Sequence, residues 1–139
     1  MVKGFIAGTW DLFHAGHVLA LEEAKTHCDV LIVGLQSENI KRKPIQNLYE
    51  RFVQLSACCH VDSIFPYSTE KDLENLLLTN KFDVRFLGED YYRTDKPVTG
   101  KNSVERIVYI ARKHNYSTTA LIEKIEKNYV NDWVGKTNV

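Results

Sequence analysis

Apolar residues in this chain fall into short unbroken runs, and these alternate with segments whose apolar positions recur every three or four residues. Residues 2–7 read as a buried strand, and 17–27 as a helix turning Val18, Leu19, Leu21 and Ala24 toward a core. The run 30–35, VLIVGL, suits a parallel strand covered on both faces. A polar, basic loop over 38–47 follows, then a helix over 48–60 with Phe52, Val53, Leu55 and Ser56 at helical spacing. Further on come a strand at 63–67, a helix at 70–80 and a strand at 83–87 ending at Gly88. Residues 88–103 are irregular, hold Pro97 and Gly100, and read as a binding loop or lid. Residues 106–111 are read as a strand, although Val104, Ile107, Val108 and Ala111 also fit a helix. A last helix starts at the caps in Ser117-Thr118-Thr119 and runs through Ile122 and Ile125 to about Tyr129. Strand and helix alternating in this way predict an α/β fold, a Rossmann-like open parallel sheet in one domain spanning 1–139.

Composition adds bounds rather than a function. Of 139 residues, 44% are hydrophobic and 26% charged, ordinary for a globular domain with one core. Eighteen basic residues balance eighteen acidic ones, which predicts no global attraction to nucleic acid or an anionic membrane. The three cysteines, Cys28, Cys58 and Cys59, cannot all pair, and adjacent cysteines disfavour a bridge, so reduced thiols and a cytoplasmic setting are expected. A zinc site from those cysteines with His27 and His60 lacks any C-x₂-C pair, and neighbouring side chains on a helix point about 100° apart. No apolar stretch approaches membrane length, and Asp11 interrupts the first apolar run.

The chemistry concentrates at Gly8-Thr9-Trp10-Asp11-Leu12-Phe13-His14-Ala15-Gly16-His17. In an open parallel sheet, ligands sit beyond the carboxyl ends of strands, where the first strand ends at Gly8 and Thr9. A helix starting at 15–17 aims its free N–H groups and positive dipole end into that crevice, which favours phosphate. Gly16 permits close backbone approach, and His14 and His17 can both offer N–H donors to one phosphoryl group. Asp11 alone also reads as a helix cap.

This stretch resembles the G-T-F-D-x-x-H-x-G-H motif of the cytidylyltransferase-like nucleotidyltransferases, with Trp10 in place of Phe as the aromatic surface. Tyr49-Glu50-Arg51 with Val61-Asp62 is similar to that family's second helix and following strand, and Gly88-Glu89-Asp90-Tyr91 to its acidic aromatic motif. Arg112 with Ser117-Thr118-Thr119 resembles the R-T-x-G-x-S-T-T signature of the small glycerol-3-phosphate cytidylyltransferase group. Lys113-His114-Asn115 replaces its Thr-x-Gly, and residues 92–103 also depart from it, which leaves the acceptor open.

The resemblance implies attack by a phosphate monoester on the α-phosphorus of a nucleoside triphosphate, CTP with glycerol 3-phosphate first, and a homodimer. It implies catalytic roles for His14, His17, Lys43 and Arg112. It implies nucleotide contacts from Gly8, Thr9, Trp10, Asp11, His14, Gly16, His17, Gly88, Asp90, Tyr91, Arg112, Ser117, Thr118 and Thr119. Acceptor contacts are implied for Asp11, Lys41, Lys43 and Arg51. Mg²⁺ is expected to arrive with the nucleotide, since the sequence shows no carboxylate cage. Two other readings stand beside this one: an adenylyltransferase using ATP with a sugar phosphate or another phosphate acceptor, and a nucleotide-binding sensor without catalysis.

Overall fold

In the computed structural model, residues 1–38, 41–94 and 97–137 are described, with side chains through Tyr129. Asn39 and Ile40 of the expected basic loop, and Asp95 and Lys96 of the long irregular stretch, lie outside the described residues. Five strands, β1 (Lys3–Gly8), β2 (Val30–Gln36), β3 (Ser63–Tyr67), β4 (Val84–Gly88) and β5 (Arg106–Ile110), alternate with helices. The helices are α1 (Ala15–Thr26), α2 (Leu48–Ser56), α3 (Glu70–Thr79), the single turn α4 (Asp90–Arg93) and α5 (Thr118–Thr137).

All four strand pairings are parallel, in the order β3-β2-β1-β4-β5. Strand β1 therefore has β2 on one side and β4 on the other, and the chain reverses its direction of travel across the sheet between them. A crevice opens at such a switch point. Pro66 is tolerated because β3 is an edge strand.

Alternation along the central strands splits the core in two. Ile6, Leu31, Val33, Leu35, Val84 and Phe86 face Leu21 and Ala24 of α1 and Leu55 of α2. Phe5 and Ile32 face the other way, toward Leu73 and Leu77 of α3, with Phe82 and Val104. A sheet covered on both faces explains why β2 is a continuous apolar run. On the α3 side, buried Arg85 donates to the Thr99 carbonyl, and the Thr99 hydroxyl donates to Glu70 at 2.5 Å. These bonds tie the segment after residue 97 onto the sheet. Among the described residues no helix is long and apolar enough to cross a membrane.

Two helix faces differ from the expected ones. Leu19 is 43% exposed while Leu21 and Ala24 are fully buried. Residues two apart on a helix point about 200° apart, so Leu19 and Leu21 cannot share a face. On α2 the inward residues are Arg51 and Leu55, while Phe52, Val53 and Ser56 lie outside. The guanidinium sets that face through a cage of carbonyls described below. Helix α2 also stops at Ser56 rather than residue 60, and α5 continues past Tyr129 to Thr137.

Candidate active site

The turn between β1 and α1 is strained and pinned. Trp10 and Leu12 hold φ of 55° and 52°, left-handed backbone that costs an L-residue roughly 1–2 kcal/mol each. Three groups fix it: the Trp10 indole donates to the Gly34 carbonyl at 3.0 Å, and Leu12 N–H donates to Gln46 Oε1 at 2.9 Å. The third is Asp11, 6% exposed, whose two oxygens accept the N–H groups of Ile45 and Gln46 at 2.9 and 3.0 Å.

Helix α1 then opens with a capping box built from imidazoles. Gly16 N–H donates to His14 Nδ1 at 3.0 Å, and His14 N–H donates to His17 Nδ1 at 3.2 Å. A backbone N–H can only donate, so both Nδ1 atoms are acceptors and the neutral rings carry their proton on Nε2. The rings stack with centroids 3.7 Å apart. Burial, then repulsion from His14, holds the His17 pKa down to about 3; burial, then Arg112 and His114, lowers that of His14. The pair thus stands as two neutral Nε2–H donors at neutral pH. His14 Nε2 pairs with the Thr118 hydroxyl at 3.3 Å, and that hydroxyl reaches the Asp11 carbonyl at 3.2 Å.

Helix α5 starts beside this pair. Ser117 Oγ accepts Ala120 N–H at 3.0 Å and caps it. No acidic side chain occupies the first turn of α1 or α5, whereas α2 and α3 begin with Glu50 and with Glu70 and Asp72. Two positive helix ends are therefore left uncompensated where they converge. Between them a cleft of about 840 Å³ runs from His14, Gly16 and His17 past Gly88, Asp90, Ile110 and Arg112 to Glu22 and Thr26. A second pocket of about 460 Å³ is lined by Ser37, Glu38, Lys43, Asn47 and Arg51 among others, and by Ile45, whose N–H Asp11 holds.

Of the residues expected at the site, the cleft gathers His14, Gly16, His17, Gly88, Asp90, Arg112, Ser117 and Thr118. Lys43 lines the second pocket, and Lys41 is exposed in the same loop. Arg42 Nη1 donates to Thr119 Oγ1 at 2.9 Å, which ties that loop to α5. Thr9 accepts a bond from Arg51 through its carbonyl, and Tyr91 follows Asp90 on α4 without lining the cleft.

Two expectations are corrected. Trp10 is 5% exposed and packs in the core with its N–H used on Gly34, so it offers no open ring face to a nucleotide. Gly8 makes room for it: a Cβ there would stand 3.0 Å from the indole. Arg51, expected to bind the acceptor, is 1% exposed and donates to the carbonyls of Thr9, Gln36, Ser37 and Gln46 at 2.6 to 3.0 Å. It clamps the ends of β1 and β2 to the start of α2.

Sequence reasoning passed over His114, which lines the cleft. Its signal was an echo of the opening motif: Tyr116 N–H donates to His114 Nδ1 at 3.1 Å, the same two-residue reach as from Gly16 to His14.

A parallel sheet in this order, with a histidine-capped helix and a cleft at its switch point, defines a Rossmann-like fold of the nucleotidyltransferase type. The cytidylyltransferase-like family model matches residues 5–124, and the chain belongs to that family. It is 37% identical over 133 residues to the bifunctional protein HldE of Hyphomonas neptunium, covering 88% of this chain and 27% of that protein. HldE of Campylobacter jejuni strain RM1221 is also 37% identical, over 128 residues. The chain thus spans about a quarter of the length of these relatives. Among solved structures it is similar to a lipopolysaccharide core biosynthesis protein from Thermoplasma volcanium, at a TM-score of 0.66 and 24% identity, over 84% of this chain and 99% of that one. A bifunctional NMN adenylyltransferase/ADP ribose pyrophosphatase from Francisella tularensis gives 0.63 and 16%, over 88% and 41%.

Proposed function

We propose that this chain transfers an adenylyl group from ATP to the phosphate of a sugar phosphate, releasing pyrophosphate. The observation that carries the nucleotidyl-transfer step is the stacked pair His14 and His17 at the start of α1, each locked by its Nδ1 with the proton on Nε2, that of His14 resting on the Thr118 hydroxyl. A phosphate monoester has a second pKa near 6, so the attacking oxygen is already ionised at neutral pH and needs no general base. The site's task is to align two anions and stabilise charge on the α-phosphoryl and the leaving pyrophosphate. In this reading the two imidazoles, the α1 and α5 ends and Arg112 receive the triphosphate. Lys43 in the second pocket meets the acceptor phosphate, with Lys41 beside it in sequence.

The long stretch of the cleft beside Ile6, Ala20, Leu19 and Ile110 offers an apolar wall suited to a purine. The polar second pocket, with Ser37, Glu38 and Asn47, suits the hydroxyls of a sugar. The similarity to HldE proteins favours the same pair of substrates. Arg112, five residues ahead of Ser117-Thr118-Thr119, supports CTP with glycerol 3-phosphate as the second reading. Its Nη2 bond to the Tyr116 carbonyl at 2.7 Å gives it a structural task as well.

Mg²⁺ is proposed as the companion of the triphosphate, whose charge it would offset, with Asp90 as a cleft carboxylate that folds back against Gly88. Among the described residues no three His, Cys, Asp or Glu side chains are grouped as metal ligands. A homodimer is proposed from the resemblance, and a monomeric mass by light scattering would reject it.

The test is pyrophosphate release with Mg²⁺, crossing ATP and CTP against sugar 1-phosphates, sugar 7-phosphates and glycerol 3-phosphate, with His17→Ala as control. Turnover of ATP with a sugar phosphate, lost in the variant, is the expected result. Preference for CTP and glycerol 3-phosphate would move the second reading to first place. Nucleotide binding without turnover on any acceptor would make the chain a sensor.

A further inference from the structure

Beyond the two histidines of the motif, the turn over 112–116 is built as if to face them. The Tyr116 peptide is held at both ends, its N–H by His114 Nδ1 at 3.1 Å and its carbonyl by Arg112 Nη2 at 2.7 Å. The His114 ring stacks on the Tyr116 ring with centroids 5.2 Å apart. Since Nδ1 accepts a backbone N–H, the neutral imidazole carries its proton on Nε2, as His14 does. The two rings approach one point: a Cβ on Gly16 would stand 2.9 Å from Cε1 of His14, 2.9 Å from Cε1 of His114 and 3.0 Å from the Tyr116 carbonyl. All of these groups line the same cleft. The lack of a side chain at position 16 lets both rings and that carbonyl close on the start of α1.

From this geometry we infer that His114 is a third imidazole contact for the nucleotide, donating its Nε2–H to the polyphosphate across Gly16 from His14. The inference rests on the nucleotidyltransfer reading given above. A turn alone would need only the acceptor at Nδ1, which an asparagine supplies with the same two-residue reach. Imidazole adds a second, oppositely placed donor, and the ring that bears it lines the cleft.

The test pairs His114→Asn, which keeps an acceptor for Tyr116 N–H but removes the donor, with His114→Ala, which removes both. Calorimetric titration with inorganic pyrophosphate and with ATP should show Kd raised about tenfold or more in both variants, the loss of one hydrogen bond to a charged group. The melting temperature of His114→Asn should match wild type. In the wild-type protein, the His114 ring resonances should shift with pyrophosphate and saturate together with those of His14. Wild-type affinity in His114→Asn, or a His114 resonance unmoved by saturating pyrophosphate, overturns the inference while leaving the function intact. A wild-type protein that binds neither pyrophosphate nor any nucleotide overturns both.

Discussion

Replacing Arg51 by methionine removes four hydrogen bonds while keeping most of the buried stem, and so separates a clamp from an acceptor-binding residue. The guanidinium reaches Gln46, Thr9, Gln36 and Ser37 carbonyls at 3.0, 2.9, 2.6 and 2.8 Å and is 1% exposed. Bonds from a charged donor contribute about 1.5–3 kcal/mol each, and buried acceptors left bare cost a similar amount. The four carbonyls lie at the ends of β1 and β2 and just before α2, and losses at adjoining sites are not additive, so a total of about 4 kcal/mol is expected rather than the full sum. That is a large share of the 5–15 kcal/mol typical of a domain, and corresponds to a fall in Tm of roughly 10–20 °C. Burial lowers the Arg51 pKa, yet Asp11 nearby opposes that shift, and the group remains a cation at neutral pH. Urea denaturation of wild type, Arg51→Met and Arg51→Lys is the assay, and lysine, able to reach one or two of the carbonyls, should fall between the others. A loss below about 1 kcal/mol in Arg51→Met, with acceptor KM alone raised, would refute the clamp and restore the acceptor role.

Other variants probe the same site. Because the His17 pKa is about 3 when folded and near 6.5 when unfolded, the unfolded chain takes up the proton first as pH falls. Stability should thus be independent of this group above pH 7 and decline below 6.5, by up to about 1.4 kcal/mol per pH unit. In His17→Asn, which keeps an acceptor for His14 N–H, denaturation curves between pH 6.5 and 4.5 should show a shallower slope, His14 with its own lowered pKa keeping its share; an unchanged slope would sink the assignment. Gly16→Ala should raise the nucleotide KM at least tenfold and lower stability by about 1–3 kcal/mol in thermal melts, because its Cβ presses on His14, His114 and the Tyr116 carbonyl, which outweighs the gain in helix propensity. Asp11→Ala frees the Ile45 and Gln46 N–H groups, and should cost about 2 kcal/mol in urea titrations and raise acceptor KM through the loosened loop.

Much of this protein was set by sequence-local physics. The apolar runs at residues 30–35 and 83–87, the glycine that ends β1 and the Ser117 cap are each decided by a few neighbouring residues, and they appear where periodicity puts them. The pairing of His14 with His17 was legible too, because three-residue spacing at a helix start brings side chain and backbone together whatever the rest of the chain does. What depended on the tertiary structure was which way the larger polar and aromatic groups turned. Arg51 reads as an acceptor contact by resemblance until three separate chain segments supply carbonyls to it. Trp10 reads as a site aromatic until β2 offers the Gly34 carbonyl beneath it. His114 became visible only when the turn after β5 folded back over Gly16, about a hundred residues earlier in the chain. Local periodicity carries information about backbone and burial, whereas the partners of a guanidinium, an indole or an imidazole come from distant segments and exist only once the sheet has brought them together.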